Sequence, residues 1–287
     1  MKTMFVAAGD ETWGSSRMRC YWVAKYMNDA AAMTNAECRM NESAVNVAEA
    51  VVFQKLADPD WMRKLRNNGK KVFWDVCDPS WWWKPKECRE IAANCDGVVA
   101  SSEGLARDFE NWAEMPCHVI ADRLDLAHFS KQRQHHETEP VRFIWFGLAA
   151  NRLSLFGAVP MLERLLANGY KIELTVCDER PDARCALGGV PVYQKLWTLG
   201  EEVETLCAHD VALLPPYPGA WGKVKSPNKK LTANACGLVD VDGFDYGRLQ
   251  EACGWVFRHH YGNGAVIAVR QSHDVKQSAA EWEALLR

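Results

Sequence analysis

The sequence predicts an α/β protein made of two Rossmann-like units, each a parallel sheet covered by helices on both faces. Three observations carry that expectation. Short runs of apolar, β-favouring residues alternate with helical patterns, a polar stretch interrupts the rhythm once, and the same rhythm then restarts. The 287 residues suit two domains of about 100–200 residues each.

In chain order, Met4 to Ala8 reads as a buried strand, followed by a Gly/Ser turn and a helix from Ser16 to Asn28. Ala50 to Gln54 is a second strand, and Asp58-Pro59 opens a helix with Asp58 as its N-cap. Lys71 to Val76, Gly97 to Ser101 and Val119 to Ala121 read as further strands, with helices starting near Pro85 and Ser102. The stretch from Leu126 to Pro140 has no apolar period and reads as a linker. Beyond it, strands are expected at Val141 to Phe146, Lys171 to Cys177, Val211 to Leu214 and Trp255 to Arg258. Helices are expected at Leu153 to Asn168, Glu201 to Ala208, Pro227 to Ala235 and Asp274 to Leu286. The domain boundaries that follow are 1–128, a linker over 129–140, and 141–287, with the chain end able to pack back on the first domain. A cleft between the domains is the expected ligand site.

Composition narrows the function classes. A net charge of -3 and a pI near 6.3 argue against binding driven by bulk positive charge, though not against a local basic groove. The 11 cysteines are odd in number, include no CxxC, and sit mostly in apolar runs, so they read as small buried hydrophobes of a reduced protein. The adjacent pairs His135-His136 and His259-His260 read as linker and turn rather than metal ligands. Met4 to Ala8 is stopped by Gly9-Asp10-Glu11, too short for a secretory core, and no run is long enough to span a membrane, so a cytoplasmic location is expected.

Several motifs then fall into a recognisable order. The stretch KLWTLGEEVETLCAHDVALLPPYPGAWGKVKSPNKKLTANACGL, with FIWFGLAANRLSL before it, resembles the nucleotide-sugar-binding domain of GT-B glycosyltransferases of the family four type. WGSSRMRCYWVAKYM, VFWDVCDPSWW, VVASSEGLARDF and VIADRLDLAHF resemble, more loosely, elements of the acceptor domain of that family. The resemblance implies a compact GT-B fold, two Rossmann-like domains facing across a cleft. It implies transfer of a sugar from a UDP- or GDP-sugar to an acceptor hydroxyl, with retention, no bound cofactor and no metal. The family's usual pair of glutamates is missing: the second falls on Thr232, and the loop Pro218-Gly219-Ala220-Trp221 offers no first.

Individual residues carry matching chemistry. Lys225 and Lys229 flank Ser226-Pro227-Asn228 at a helix start, where N–H groups and the helix dipole favour phosphate; a solvated Lys cluster is the alternative. Gly147 would let backbone approach a diphosphate, and Arg152 could reach it or lie on the surface. Trp197 and Leu199 would lie near the donor base, or Trp197 in the core. On the acceptor side stand Gly14, Ser15, Ser16 and Arg17, with Ser16 an N-cap as the alternative. Asp75 and Asp78 end a strand and could orient or deprotonate an acceptor hydroxyl, unless Asp78-Pro79 is only a turn. Trp81, Trp82 and Trp83 cannot all face one core, so at least one should be surface-exposed and able to stack on sugars or bases.

The leading expectation is therefore a glycosyltransferase acting on a glycan or small molecule. An alternative is a DNA-modifying enzyme of the phage type acting on hydroxymethylated bases, supported by Arg63-Lys64-Leu65-Arg66, Lys70-Lys71, Arg17-Met18-Arg19 and the Trp cluster. The alternative of another class is a catalytically inactive nucleotide-binding module, suggested by the missing glutamates. A Rossmann dehydrogenase is disfavoured because no GxGxxG is present.

Overall fold

In the computed structural model, which describes residues 1–55, 57–137, 139–181, 186–217 and 219–287, the chain divides into two compact units. Pro218 of the expected donor loop and Thr138 of the expected linker lie outside the described residues. Unit 1 is Met1–Asp125 together with Gly219–Ser226 and Asp274–Arg287; unit 2 is Leu126–Pro218 and Pro227–His273. Each has a separate apolar core, one around Phe53, Trp74 and Phe109, the other around Phe143, Trp145 and Leu174.

The described strands of unit 1 are β1 (Thr3–Ala7), β2 (Ala30–Thr34), β3 (Ala50–Gln54), β4 (Lys71–Val76), β5 (Gly97–Ala100) and β6 (Cys117–Val119). They form one parallel sheet in the order β2-β1-β3-β4-β5-β6. Unit 2 has β7 (Val141–Phe146), β8 (Ile172–Asp178), β9 (Val192–Leu196), β10 (Val211–Leu213) and β11 (Val239–Val241), all parallel in the order β11-β10-β7-β8-β9. In both sheets the strand order reverses beside the first strand, between β1 and β3 and between β7 and β10. In open α/β sheets, ligands settle beyond the strand carboxyl ends at such a switch point.

The buried interior strands match the sequence expectation because burial on both faces leaves a continuous apolar run. The three unexpected strands, β2, β9 and β11, are all at sheet edges. The Ala30–Thr34 run is Ala-rich and partly exposed, and β11 is only three residues long, so neither announces itself. The strand expected at Trp255 to Arg258 is instead the first turn of the helix Trp255–Ser272, which also contains His259 and His260 in place of the expected turn. A short apolar run does not distinguish strand from helix. Helix starts fared better: the Asp58 side chain accepts from Asp60 and Trp61 N–H, and Ser102 accepts from Leu105 N–H.

The expected linker is tied into unit 2. Arg133 bonds Asp210 through Nε and Nη2 (3.1 and 2.9 Å), and His135, buried, bonds the Gly237 carbonyl at 2.8 Å. Burial would raise the Asp210 carboxyl, but His135, the Arg142 N–H and Arg133 together hold it far below the usual range. At the chain end, Val275 N–H bonds the Leu124 carbonyl, and Trp282 is buried edge-on to Phe5 and Phe73 in unit 1. No helix among the described residues is long and apolar enough to cross a membrane.

Candidate functional site

The segment most altered by folding is Gly219–Ser226, expected in the second domain and found in unit 1. Val224 is buried there and its carbonyl accepts from Ser102 Oγ at 2.8 Å. Ser226 Oγ donates to Asp122, and Lys225 Nζ donates to Asp78. Lys225, read from sequence as a phosphate ligand, is thus the ion-pair partner of a residue read as a candidate base.

Asp78 follows β4 and receives a second cation, Lys55 Nζ at 2.6 Å. Burial alone would raise its carboxyl; Lys55 and Lys225 outweigh that and hold it below the ordinary value. A carboxylate so stabilised is a weak proton acceptor at neutral pH, and an effective electrostatic anchor. A lowered folded-state value contributes stability that is complete above the unfolded-state value and is lost as pH falls through the folded one. Replacing Asp78 by Asn should therefore flatten the acid limb of the stability profile below about pH 4, the ordinary carboxylate value. Urea midpoints across that range check this; an unchanged acid limb would contradict the two-lysine arrangement.

Asp75 lies in the interior. It is 0% exposed, and Arg19 takes both its oxygens, Nε to Oδ2 at 2.7 Å and Nη2 to Oδ1. Arg19 Nη1 also bonds Asp122 at 2.8 Å and the Ile120 carbonyl at 2.9 Å. Burial opposes the Arg19 charge, but Asp75 and Asp122 hold it well above its usual value. This interior ion cluster encloses Asp75, the residue expected at a reacting atom, among Arg19 and its partners. Sequence could not reveal it, because Arg19, Asp75 and Asp122 come from distant segments.

The acceptor-side candidates divide similarly. Ser16 is buried rather than capping the helix: its Oγ donates to Gln54 Oε1 and accepts from Gly9 N–H, both at 3.1 Å. Gln54 also accepts from Ala8 N–H at 2.9 Å, so this side chain joins β1 to β3 at the switch point of unit 1. Gly14 and Ser15 open the helical stretch and are half-buried. Arg17 begins its π-wound turn, Arg17–Tyr21, and is buried with Nη1 donating to the Glu11 carbonyl. Trp81 is a core residue, stacked on Trp112 at 5.7 Å with Nε1 donating to Asp108 at 2.8 Å, and so leaves the acceptor list. Trp82 and Trp83 are exposed, as the run of three indoles required. The basic run Arg63 to Lys71 lies apart from all of these. It lines a cavity of about 670 Å³ at the amino end of β4, the end opposite Asp78, and Arg63 and Arg66 are paired with Asp60 and Asp96.

Unit 2 has a cation at its switch point. Gly147, which follows β7, has φ +152, and a Cβ placed there would come within 2.3 Å of Lys229 Nζ. The same ammonium lies 4.9 Å from the Trp145 ring centroid. Lys229 is in the first turn of the helix Asn228–Ala235, whose N-cap Pro227 provides no side-chain hydrogen bond, and Asn228 is its first residue. Arg152 is ion-paired, with Nε and Nη2 on Asp178 and Nη2 also on the Arg180 carbonyl. Glu179, unremarked in the sequence, accepts from Ala149 N–H of the Gly147 loop at 2.9 Å. Trp197 and Leu199 are half-buried just beyond β9, where Trp197 N–H bonds the Asp178 carbonyl. Thr232 is buried within its helix, so no exposed group stands at the position of the missing glutamate. Among the described residues no three His, Cys, Asp or Glu side chains are grouped to hold a metal ion. Burial pushes the thiols of Cys38, Cys77, Cys88 and Cys253 up to about 11.

No family model matches the sequence, and no curated protein is similar to it in sequence. Solved structures are similar in fold. An alpha-glucosyltransferase in complex with UDP-glucose and DNA containing an abasic site superposes with TM-score 0.71 at 12% identity, over 99% of this chain and 98% of that one. The fold is that of the GT-B glycosyltransferases. A second alpha-glucosyltransferase complex, with UDP and a 13-mer DNA containing an HMU base, matches over 100% of both chains at TM-score 0.71 and 11% identity. Alpha,alpha-trehalose 6-phosphate synthase from Burkholderia multivorans shares the GT-B fold at TM-score 0.56 and 10% identity, over 96% of this chain and 80% of that one.

Proposed function

We propose that the protein is a glycosyltransferase that moves a sugar from a UDP-sugar to a hydroxyl carried by a nucleic-acid base. The observation that carries this reading is the end-to-end likeness, over 99% of this chain and 98% of the other, to an alpha-glucosyltransferase solved with UDP-glucose and DNA. It favours the DNA-modifying alternative over a glycan or small-molecule acceptor. The motif order further supports family four membership and a retaining outcome.

Unit 2 would bind the donor. Lys229 and the uncapped N-terminus of Asn228–Ala235 place positive charge beside Gly147, where a diphosphate would be neutralised as it leaves. Trp197 and Leu199 would border the base. In the reaction, the bond from sugar C1 to the β-phosphate oxygen breaks and a new bond from C1 to the acceptor oxygen forms. The acceptor proton leaves with the diphosphate. Asp78, held as a carboxylate by Lys55 and Lys225, would orient the acceptor or its surroundings electrostatically instead of serving as the base.

The test is transfer of radiolabelled glucose from UDP-glucose to hydroxymethylated DNA, with the product nucleoside identified by mass. Labelled DNA is the expected result. Labelled oligosaccharide with unlabelled DNA would overturn the acceptor assignment. UDP binding without transfer or hydrolysis would make the protein an inactive nucleotide-binding module.

A further inference from the structure

We propose that Trp83 and Trp221, with Trp82 beside them, form a platform on which an unstacked base of a nucleic acid lies; this rests on the nucleic-acid reading above and specifies the surface of unit 1 involved. Trp83 stacks on Trp221 with ring centroids 5.0 Å apart and planes 21° from parallel. Trp82 meets Trp221 edge-on at 6.4 Å. Trp82 and Trp83 are nevertheless 40% and 49% exposed, an unusual amount of indole surface to leave in water.

The platform is held rigidly from beneath. Trp81 is buried on Trp112 and Phe109, and its Nε1 shares one carboxylate oxygen of Asp108 with Trp82 Nε1, at 2.8 and 2.7 Å. With its N–H committed to Asp108, Trp82 offers chiefly ring surface. The indoles are therefore positioned before any ligand arrives, which reduces the ordering cost of binding.

The surrounding charge identifies the occupant. Lys84, Lys86, Lys223 and Lys225 are exposed on the two segments that carry the indoles, Lys84 paired with Glu87 and Lys225 with Asp78, in a chain whose net charge is -3. Lys225 Nζ lies 5.0 Å from the Trp221 ring centroid. Asp108 is engaged by two indoles and Asp78 by two lysines, so neither carboxylate is open to accept from the hydroxyls of a glycan. Cations around planar aromatic rings suit a phosphate backbone and a base.

Fluorescence anisotropy with a short labelled single-stranded oligonucleotide at fixed low salt tests the platform. Trp83→Ala should weaken binding about 10-fold, Trp221→Ala comparably, and Trp83→Phe less than about threefold, since one base–aromatic stack has an effect of that order. UDP affinity, measured in parallel, should not change, and the thermal unfolding midpoint reports that each variant is folded. Wild-type-like oligonucleotide binding by both alanine variants would overturn the platform while leaving the nucleic-acid reading intact. No oligonucleotide binding by the wild type would overturn that reading, and the platform with it. Loss of oligosaccharide binding in Trp83→Ala, with oligonucleotide binding unchanged, would overturn it in favour of a glycan.

Discussion

Lys229→Ala is expected to reduce turnover about 100-fold or more, with little change in thermal stability. In the proposed reaction the stabilisation lost would be that of developing charge on the departing diphosphate, for which removal of a single preorganised group commonly has an effect of about 10²–10³. Lys229 is suited to that role because its ammonium lies against Gly147 and over Trp145 at the carboxyl end of β7, on the first turn of a helix that lacks a side-chain cap. Alanine is favourable in a helix, so the fold should tolerate the change. Gly147→Ala is its companion. The added methyl would meet the lysine amine rather than backbone, so the flexible tip swings away, and the φ of +152 adds strain. Its main effect should be weaker UDP affinity. Steady-state rates with calorimetric UDP titration check both, and a Lys229→Ala enzyme within threefold of wild-type turnover would exclude the role.

Arg19→Met should cost about 3–5 kcal/mol of folding stability, because it leaves Asp75 and Asp122 as buried carboxylates without their cation. Asp75 is 0% and Asp122 6% exposed, so water cannot take over from the guanidinium. The lost contacts include the bidentate pair with Asp75 and the 2.8 Å bond to Asp122, which also holds Ser226 of the Gly219–Ser226 segment. Urea denaturation measures the loss. Asp75→Asn separates structure from chemistry: it should also destabilise, yet keep turnover at a temperature where it remains folded. Abolished turnover in a fully folded Asp75→Asn protein would restore Asp75 to the reaction.

These two predictions show what kind of information the sequence holds. β1 and β3 could be read directly because strands buried on both faces are near-continuous apolar runs, and β4, β7 and β8 because they are apolar runs interrupted by polar residues. The edges β2, β9 and β11 could not, since an edge strand is partly exposed or short and its pairing is fixed by its neighbour. Lys229 and Gly147 were readable as a helix start and a loop glycine, 82 positions apart in the numbering; their contact is a product of folding. Trp81, Trp82 and Trp83 are chemically identical in sequence, and only the 3₁₀ turn Ser80–Trp82 decides that the first faces the core and the others water.

By itself, then, the sequence determined two parallel α/β units and the helix starts at Asp58 and Ser102, because burial and capping act over a few neighbouring residues. Only the tertiary structure decided which charges are available for chemistry. Asp75 and Asp78 lie three residues apart on one strand and its exit, yet Arg19 encloses one while Lys55 and Lys225 hold the other. A carboxylate's reactivity depends on solvent and on the nearest cations, and those cations come from segments the local sequence does not contain.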